Sequence, residues 1–204
     1  MEAQIPKYQY RYPVIEIFDS IQGEGCMMGK TATFVRFAGC NLNCPWCDTE
    51  WSKAKEMLTL EELVSRINFD MSMVVFTGGE PTLQRLEPIF NAIQAKCPGH
   101  LMAIETNGTR DVSALQKEFM SLWVTCSPKP EKDWTYVCTP NELKYVIDDD
   151  ISEDDICEPY EGCPIWLQPQ GYDMQASWKV CFEFAMKHPN WRVGVQLHKI
   201  MEVR

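Results

Sequence analysis

Three cysteines stand close together in this chain, in the run Cys40-Asn-Leu-Asn-Cys44-Pro-Trp-Cys47. A C-x3-C-x2-C loop is long enough to turn three thiolates toward one centre. Structural zinc takes four protein ligands, often as two paired halves. No second paired half accompanies this run, since Cys157 and Cys163 lie six positions apart. Iron–sulfur clusters are also held by cysteine thiolates. Three thiolates would fix three irons of a [4Fe–4S] cube and leave the fourth open to a small molecule. An open coordination position is where reactive metal chemistry takes place. The bland alternatives are a zinc loop with a distant fourth ligand, or a loop without metal.

The chain has ten cysteines, and those outside this run are scattered. In a short secreted chain they would read as a disulfide framework. Here the chain is 204 residues long, and its start, MEAQIPKYQYRYPVIEIF, has no apolar signal core. Thiols in such a chain stay reduced, and the scattered ones read as small buried hydrophobes. The formal net charge of −10 argues against a protein that coats nucleic acid. No apolar run reaches the roughly 18–20 residues of a membrane span. A composition of 45% apolar and 24% charged residues excludes disorder or coiled coil as whole-chain answers. The expectation is a cytoplasmic protein with neither nucleic acid nor membrane as partner.

The elements that must position the cysteines alternate between strands and helical or looped segments. Apolar runs rich in β-branched and aromatic residues predict strands at Val14–Phe18, Ala32–Phe37, Met73–Thr77, Leu101–Glu105, Leu122–Cys126, Leu143–Ile147, Ile165–Gln168 and Trp191–Leu197. Thr59-Leu-Glu-Glu62 is a capping-box pattern, and apolar residues at 83, 86, 89, 90 and 93 predict a helix that Pro88 would bend. A shorter helix is expected from Asp111 to Phe119 and a longer one from Met174 to Met186. Thr139-Pro-Asn-Glu142 also fits a capping box, but the residues after it read as a strand. The βα unit is therefore eroded after Cys126. Alternation of this kind predicts a parallel sheet with right-handed crossovers, in one domain spanning 1–204. Functional groups then gather at the C-terminal ends of strands. Gly39–Thr49, Gly78-Gly-Glu-Pro81, Glu105-Thr-Asn-Gly108, Ser127-Pro-Lys129 and Gln168-Pro-Gln170 all follow predicted strands.

The cysteine run with Trp46 before Cys47, followed by Gly78-Gly-Glu-Pro81, resembles the radical S-adenosylmethionine superfamily. Ser20-Ile-Gln-Gly-Glu-Gly25, the FVRFAGC segment ending at Cys40, CPWCDT and the closing Gln-Leu-His-Lys narrow it: the chain is similar to the 7-carboxy-7-deazaguanine synthase family over about residues 14–200. The resemblance implies a single-domain, reduced TIM-like α/β barrel of parallel strands with eroded helices. It implies a lyase that converts 6-carboxy-5,6,7,8-tetrahydropterin to 7-carboxy-7-deazaguanine with loss of ammonia, for queuosine and related deazapurines. The implied cofactors are a [4Fe–4S] cluster, S-adenosylmethionine and Mg²⁺. Cys40, Cys44 and Cys47 would hold the cluster, and Thr49 would be a Mg²⁺ ligand. Trp46, Cys47, Asp48, Gly79, Glu105, Asn107, Ser127, Lys129 and Gln168 would contact S-adenosylmethionine. Ile21, Gln22, Gly23, Arg36, Thr77, His198 and the terminal Arg204 would border the substrate, Arg36 pairing with its carboxylate. No separate catalytic side chain is implied beyond the radical itself. A homodimer and a flavodoxin-like reductant are implied partners. A glycyl-radical activase, also built on three cysteines, and a zinc-binding interaction module are the rival readings. Ser20–Gly25 and Asp48-Thr49 favour the pterin enzyme.

Overall fold

The computed structural model describes residues 10–47, 49–148, 151–170 and 174–204, with side chains from 176 in the last stretch. Among the described residues nine strands form one sheet: β1 (Tyr12–Ile21), β2 (Thr31–Phe37), β3 (Glu56–Leu58), β4 (Met73–Gly78), β5 (Leu101–Thr106), β6 (Leu122–Cys126), β7 (Glu142–Ile147), β8 (Ile165–Pro169) and β9 (Trp191–Val193), in the order β3-β1-β2-β4-β5-β6-β7-β8-β9. β1 pairs antiparallel with β2 and β3, and every neighbouring pair from β2 to β9 is parallel. Five α-helices of the described residues accompany it: α1 (Leu60–Ser65), α2 (Leu86–Lys96), α3 (Ser113–Glu118), α4 (Met174–Lys187) and α5 (Leu197–Ile200). Between β6 and β7, and again between β7 and β8, the described residues hold only one 3-10 turn each, at Pro130–Lys132 and Glu153–Asp155. This is the expected partial TIM-like barrel with eroded helices.

The two faces of the sheet follow from the two-residue period of a strand. Val35 and Phe37, Val74 and Phe76, Met102 and Ile104, and Leu143 and Tyr145 turn to one side and share one apolar cluster with Leu63 of α1, Leu86, Ile89, Phe90 and Ile93 of α2, and Cys181 and Phe184 of α4. Ala32, Phe34, Met73, Val75 and Ala103 turn to the other side and form a second, small apolar cluster. Along that inner face the next residues in the alternation are polar: Arg36, Thr77 and Glu105. The inner face is thus apolar where strands begin and polar where they end.

Several elements differ from expectation. β3 is short and was not foreseen. Thr59 and Glu62 do form a capping box, with the Glu62 N–H donating to Thr59 Oγ1 at 3.2 Å and the Thr59 N–H to Glu62 Oε2 at 2.8 Å. α2, however, begins only at Leu86, after a 3-10 turn at Pro81–Leu83. Pro88 therefore falls in the first turn, where its missing N–H has no helical partner to lose, and no bend is needed. β9 ends at Val193, and the residues expected to extend it instead turn into α5. Gln196 and Leu197 leave the sheet because they bind the 22–25 segment, as shown below. No helix of the described residues is long and apolar enough to cross a membrane.

His100, just before β5, is 9% exposed, and its Nε2 has no partner. Burial holds its pKa below the ordinary 6.5. The unfolded chain takes up the proton near 6.5 while the folded chain resists it. Its contribution is complete above 6.5 and is lost as pH falls toward the folded pKa. A His100→Phe variant, beside Phe69, is expected to show a smaller drop in melting temperature from pH 7 to pH 5 than the parent.

Candidate active site

A cavity of about 930 Å³ opens where the parallel strands end. Its lining includes all three clustered cysteines and nearly every residue expected at the site: Ile21, Gln22, Arg36, Trp46, Thr49, Thr77, Gly79, Glu105, Asn107, Ser127, Lys129, Gln168, His198 and Arg204. Gly23 stands apart from this lining. A Cβ on it would sit 2.0 Å from His198 Nδ1, so Gly23 seats the histidine ring and leaves His198 to face the cavity. Asp48 lies outside the described residues.

At one end of the cavity sits the cysteine loop. The Cys47 N–H closes a turn on the Cys44 carbonyl at 3.1 Å. The Leu42 N–H points to Cys40 Sγ at 3.4 Å, and Asn107 Nδ2 lies 4.0 Å from the same sulfur while donating to Asn41 Oδ1 at 2.9 Å. Lys129 donates to Ser127 Oγ at 2.6 Å and lies 4.9 Å from the Trp46 ring centre. Burial pushes the Cys44 thiol up to about 12, with Glu131 adding to the rise and Lys129 opposing it. Burial raises Cys40 as well. Both rises favour the thiol over the thiolate. Among the described residues no three His, Cys, Asp or Glu side chains already converge as a metal cage. The donor set still fits an iron–sulfur cluster: three thiols on one short loop, amide donors beside Cys40, and a cavity in front of them.

The Gly78–Pro81 turn presses on the entrance of that loop. The Glu80 N–H donates to the Gly39 carbonyl at 2.8 Å, and the Gly79 N–H to the Phe37 carbonyl at 2.9 Å. The Glu80 side chain is fully buried and faces away from the cavity. It accepts from Thr106 Oγ1 at 2.8 Å, the Asn107 N–H at 2.7 Å, the Thr82 N–H at 3.0 Å and Thr82 Oγ1 at 2.6 Å. Glu80 thus ties the end of β4 to the end of β5.

Three more polar stations line the cavity. Glu105 accepts from Thr77 Oγ1 at 2.8 Å and from Gln22 Nε2 at 3.0 Å. Arg36 donates from Nε to Glu16 at 2.9 Å and from a terminal nitrogen to Thr49 Oγ1 at 3.1 Å. The Arg204 guanidinium holds the other Glu16 oxygen, and the Ser20 hydroxyl donates to an oxygen of the Arg204 α-carboxylate. The third station joins Glu24, Lys144 and Gln196. Lys144 Nζ donates to Glu24 Oε2, and Gln196 Nε2 donates to Glu24 Oε1 at 2.7 Å. The Leu197 N–H on the Gly23 carbonyl, 2.9 Å, docks the C-terminal segment there.

Sequence reasoning passed over Glu16, Glu24, Glu80 and Lys144. Two of them carried a signal: Glu24 stands between glycines, and Lys144 is the single charge inside the apolar run LKYVI. Cys26, which had no assigned role, lies outside the cavity lining; its N–H donates to the buried Glu142 at 2.7 Å.

The chain is 35% identical over 203 residues to the 7-carboxy-7-deazaguanine synthase of Synechocystis sp., covering 95% of this chain and 94% of that one. It belongs to the 7-carboxy-7-deazaguanine synthase family. The Bacteroides thetaiotaomicron 7-carboxy-7-deazaguanine synthase is 36% identical, with 93% of this chain and 97% of that one covered. The crystal structure of QueE from Escherichia coli superposes with a TM-score of 0.70 at 28% identity, covering 92% of this chain and 95% of that one. The family model for the radical SAM superfamily matches residues 34–124. That stretch runs from β2 into β6 and carries the cysteine loop, the Gly78–Pro81 turn and Glu105–Gly108. Membership in this superfamily implies a [4Fe–4S] cluster and S-adenosylmethionine. In this member of the synthase family, both would lie in the cavity described above, at its cysteine end.

Proposed function

We propose that the chain converts 6-carboxy-5,6,7,8-tetrahydropterin to 7-carboxy-7-deazaguanine and ammonia, as the names of its relatives indicate for their product. The carrying observation is that one cavity holds the three cysteines and, joined to Cys47 through Thr49, the Arg36 guanidinium held on Glu16. Cys40, Cys44 and Cys47 would hold the cluster. Trp46, Gly79, Glu105, Asn107, Ser127, Lys129 and Gln168 would seat S-adenosylmethionine. Bound there, the reduced cluster and S-adenosylmethionine would supply radical chemistry able to remove a hydrogen atom from the substrate.

The chain's own residues position the substrate. Arg36, held by Glu16 and Thr49, presents a planar guanidinium to the cavity, and that fork suits a carboxylate. Thr49, at hydrogen-bond distance from Arg36, would join substrate oxygens and water on Mg²⁺, an ion that commonly keeps several waters. Gln22 and Thr77, both anchored on Glu105, would meet the ring. His198 would close the cavity from the C-terminal side. Substrate and product differ only by ammonia, so no net oxidation occurs and the abstracted hydrogen can return. A homodimer and a flavodoxin-like electron donor belong to the same reading.

The test is anaerobic incubation of the reconstituted protein with reductant, S-adenosylmethionine, Mg²⁺ and the tetrahydropterin. Mass detection of the deazaguanine is the expected result; an untouched pterin beside intact S-adenosylmethionine cleavage overturns the reading. Arg36→Ala is expected to raise the pterin KM by about 10- to 150-fold, the equivalent of roughly 1.5–3 kcal/mol for a charge-assisted contact. Iron and sulfide content should stay at the parental level. An unchanged KM removes Arg36 from the substrate site.

A further inference from the structure

The geometry points to the Glu24–Lys144 pair as the element that reads the 2-amino-4-oxo edge of the substrate, far from its carboxylate. This rests on the pterin reading above and deepens it. Both side chains line the cavity, and both are largely buried, at 12% and 14% exposure. They come from opposite parts of the chain: Glu24 from the loop after β1, and Lys144 from the middle of β7.

Charge separates this station from the others. The Arg36–Glu16–Arg204 station presents guanidinium forks, and it suits a carboxylate. The Glu24–Lys144 station sets one cation against one anion, and it suits a neutral group. It presents an acceptor and a donor side by side. A 2-amino-pyrimidin-4-one edge offers the complement: two parallel N–H donors, on N3 and the 2-amino group, next to the O4 acceptor. A carboxylate has about four lone-pair sites and an ammonium has three N–H groups. After their mutual bond and the Gln196 contact, both retain capacity for that edge. Two parallel N–H donors on one carboxylate make a strong, directional arrangement.

The pair also stays charged. Burial alone would raise the Glu24 carboxyl, but the Lys144 ammonium, with Gln196, outweighs it and holds Glu24 below the usual carboxylate range. Burial would lower Lys144, but Glu24 and Glu105 hold it above the usual amine range. Glu24 is therefore an acceptor only, and a carbonyl in place of the 2-amino group would face it lone pair to lone pair. Sites built to bond an N–H reject analogues that lack it, because their polar groups are left unpaired.

The experiment is equilibrium binding to the reconstituted, S-adenosylmethionine-loaded protein. Its probes are the product, 7-carboxy-7-deazaguanine, and its 2-oxo analogue, 7-carboxy-7-deazaxanthine. The parent is expected to prefer the 2-amino compound by about 100-fold or more. Glu24→Gln, whose amide can also donate, is expected to erase that preference, mainly by weakening the 2-amino compound. Lys144→Met is expected to weaken both compounds, which share the O6 carbonyl that corresponds to the pterin O4. The charge-swapped double variant, Glu24→Lys with Lys144→Glu, keeps an ion pair in the same place. It is expected to melt near the parent temperature yet not regain the 2-amino preference. Parental affinity and preference in Glu24→Gln, or recovery of both in the swapped protein, overturns the assignment and leaves the pair a structural strut. A parent that binds neither deazapurine overturns the pterin reading itself, which is a separate outcome.

Discussion

Gly79→Ala is expected to abolish cluster assembly, although it changes no cysteine. A Cβ at residue 79 would lie 2.0 Å from the Gly39 carbonyl oxygen and 2.5 Å from its carbon, whereas ordinary contact begins near 3.4 Å. Overpacking costs about 1–3 kcal/mol when side chains can yield. Here the obstructing atoms are backbone, and they are held in place. The Gly39 N–H donates to the Trp51 carbonyl at 2.9 Å, and its carbonyl receives the Glu80 N–H at 2.8 Å. Relief requires the residue that opens the cysteine loop to move away from the end of β4. The measurement is iron and labile sulfide per chain after anaerobic reconstitution, beside a thermal melt. The expected result is iron below a tenth of the parent and no S-adenosylmethionine cleavage, with β-sheet signal retained. Full iron content in the variant would mean that the loop does not depend on this contact.

That dependence was only partly legible in the sequence. Strand positions could be read because parallel strands covered by helices are nearly continuous apolar runs. The polar clusters after them could then be assigned to one mouth, and the cavity lining agrees. What the runs could not show is which polar residue faces the cavity and which faces the interior. Glu80 lies next to Gly79 in sequence, yet its carboxylate is swallowed by Thr82, Thr106 and Asn107. Only the positions of the neighbouring strand ends decide that.

Long-range pairing explains the other omissions. Lys144 meets Glu24 across 120 positions, and Cys26 meets Glu142 across 116. No local period encodes either. Glu142 also collects Trp123 Nε1 at 3.1 Å, Thr125 Oγ1 at 2.7 Å and Trp166 Nε1 at 2.9 Å, and so it reads as a buried anchor for the 22–28 loop. The same logic accounts for the end of β9. Its β-branched and aromatic residues favour a strand, but Gln196 and Leu197 gain more from Glu24 and Gly23 than from an edge with no further partner. Local propensity lost to tertiary contacts.

Cys44→Ala is expected to lose the cluster and all S-adenosylmethionine cleavage, while the fold survives. The cysteine loop contributes little to the core. Of residues 40–47 only Leu42 is buried, and Cys44 is neither in the apolar clusters nor bonded to a strand through its sulfur. Removing its thiol should therefore shift stability by no more than about 0.5 kcal/mol, as for other positions away from packed features. The chemical effect is of another order. Three thiolates are the minimum for a site with one open iron, and two cannot hold the cube against solvent and chelator. Cys181→Ala is the contrasting variant. Its sulfur is fully buried against α4 neighbours and the sheet, so it should melt lower but keep parental iron and sulfide. Measured together, iron, labile sulfide and melting temperature separate the two roles. If Cys44→Ala kept its sulfide, or if the parent carried a single zinc with none, the cysteine run would be a structural loop, and the radical chemistry would have no seat in this cavity.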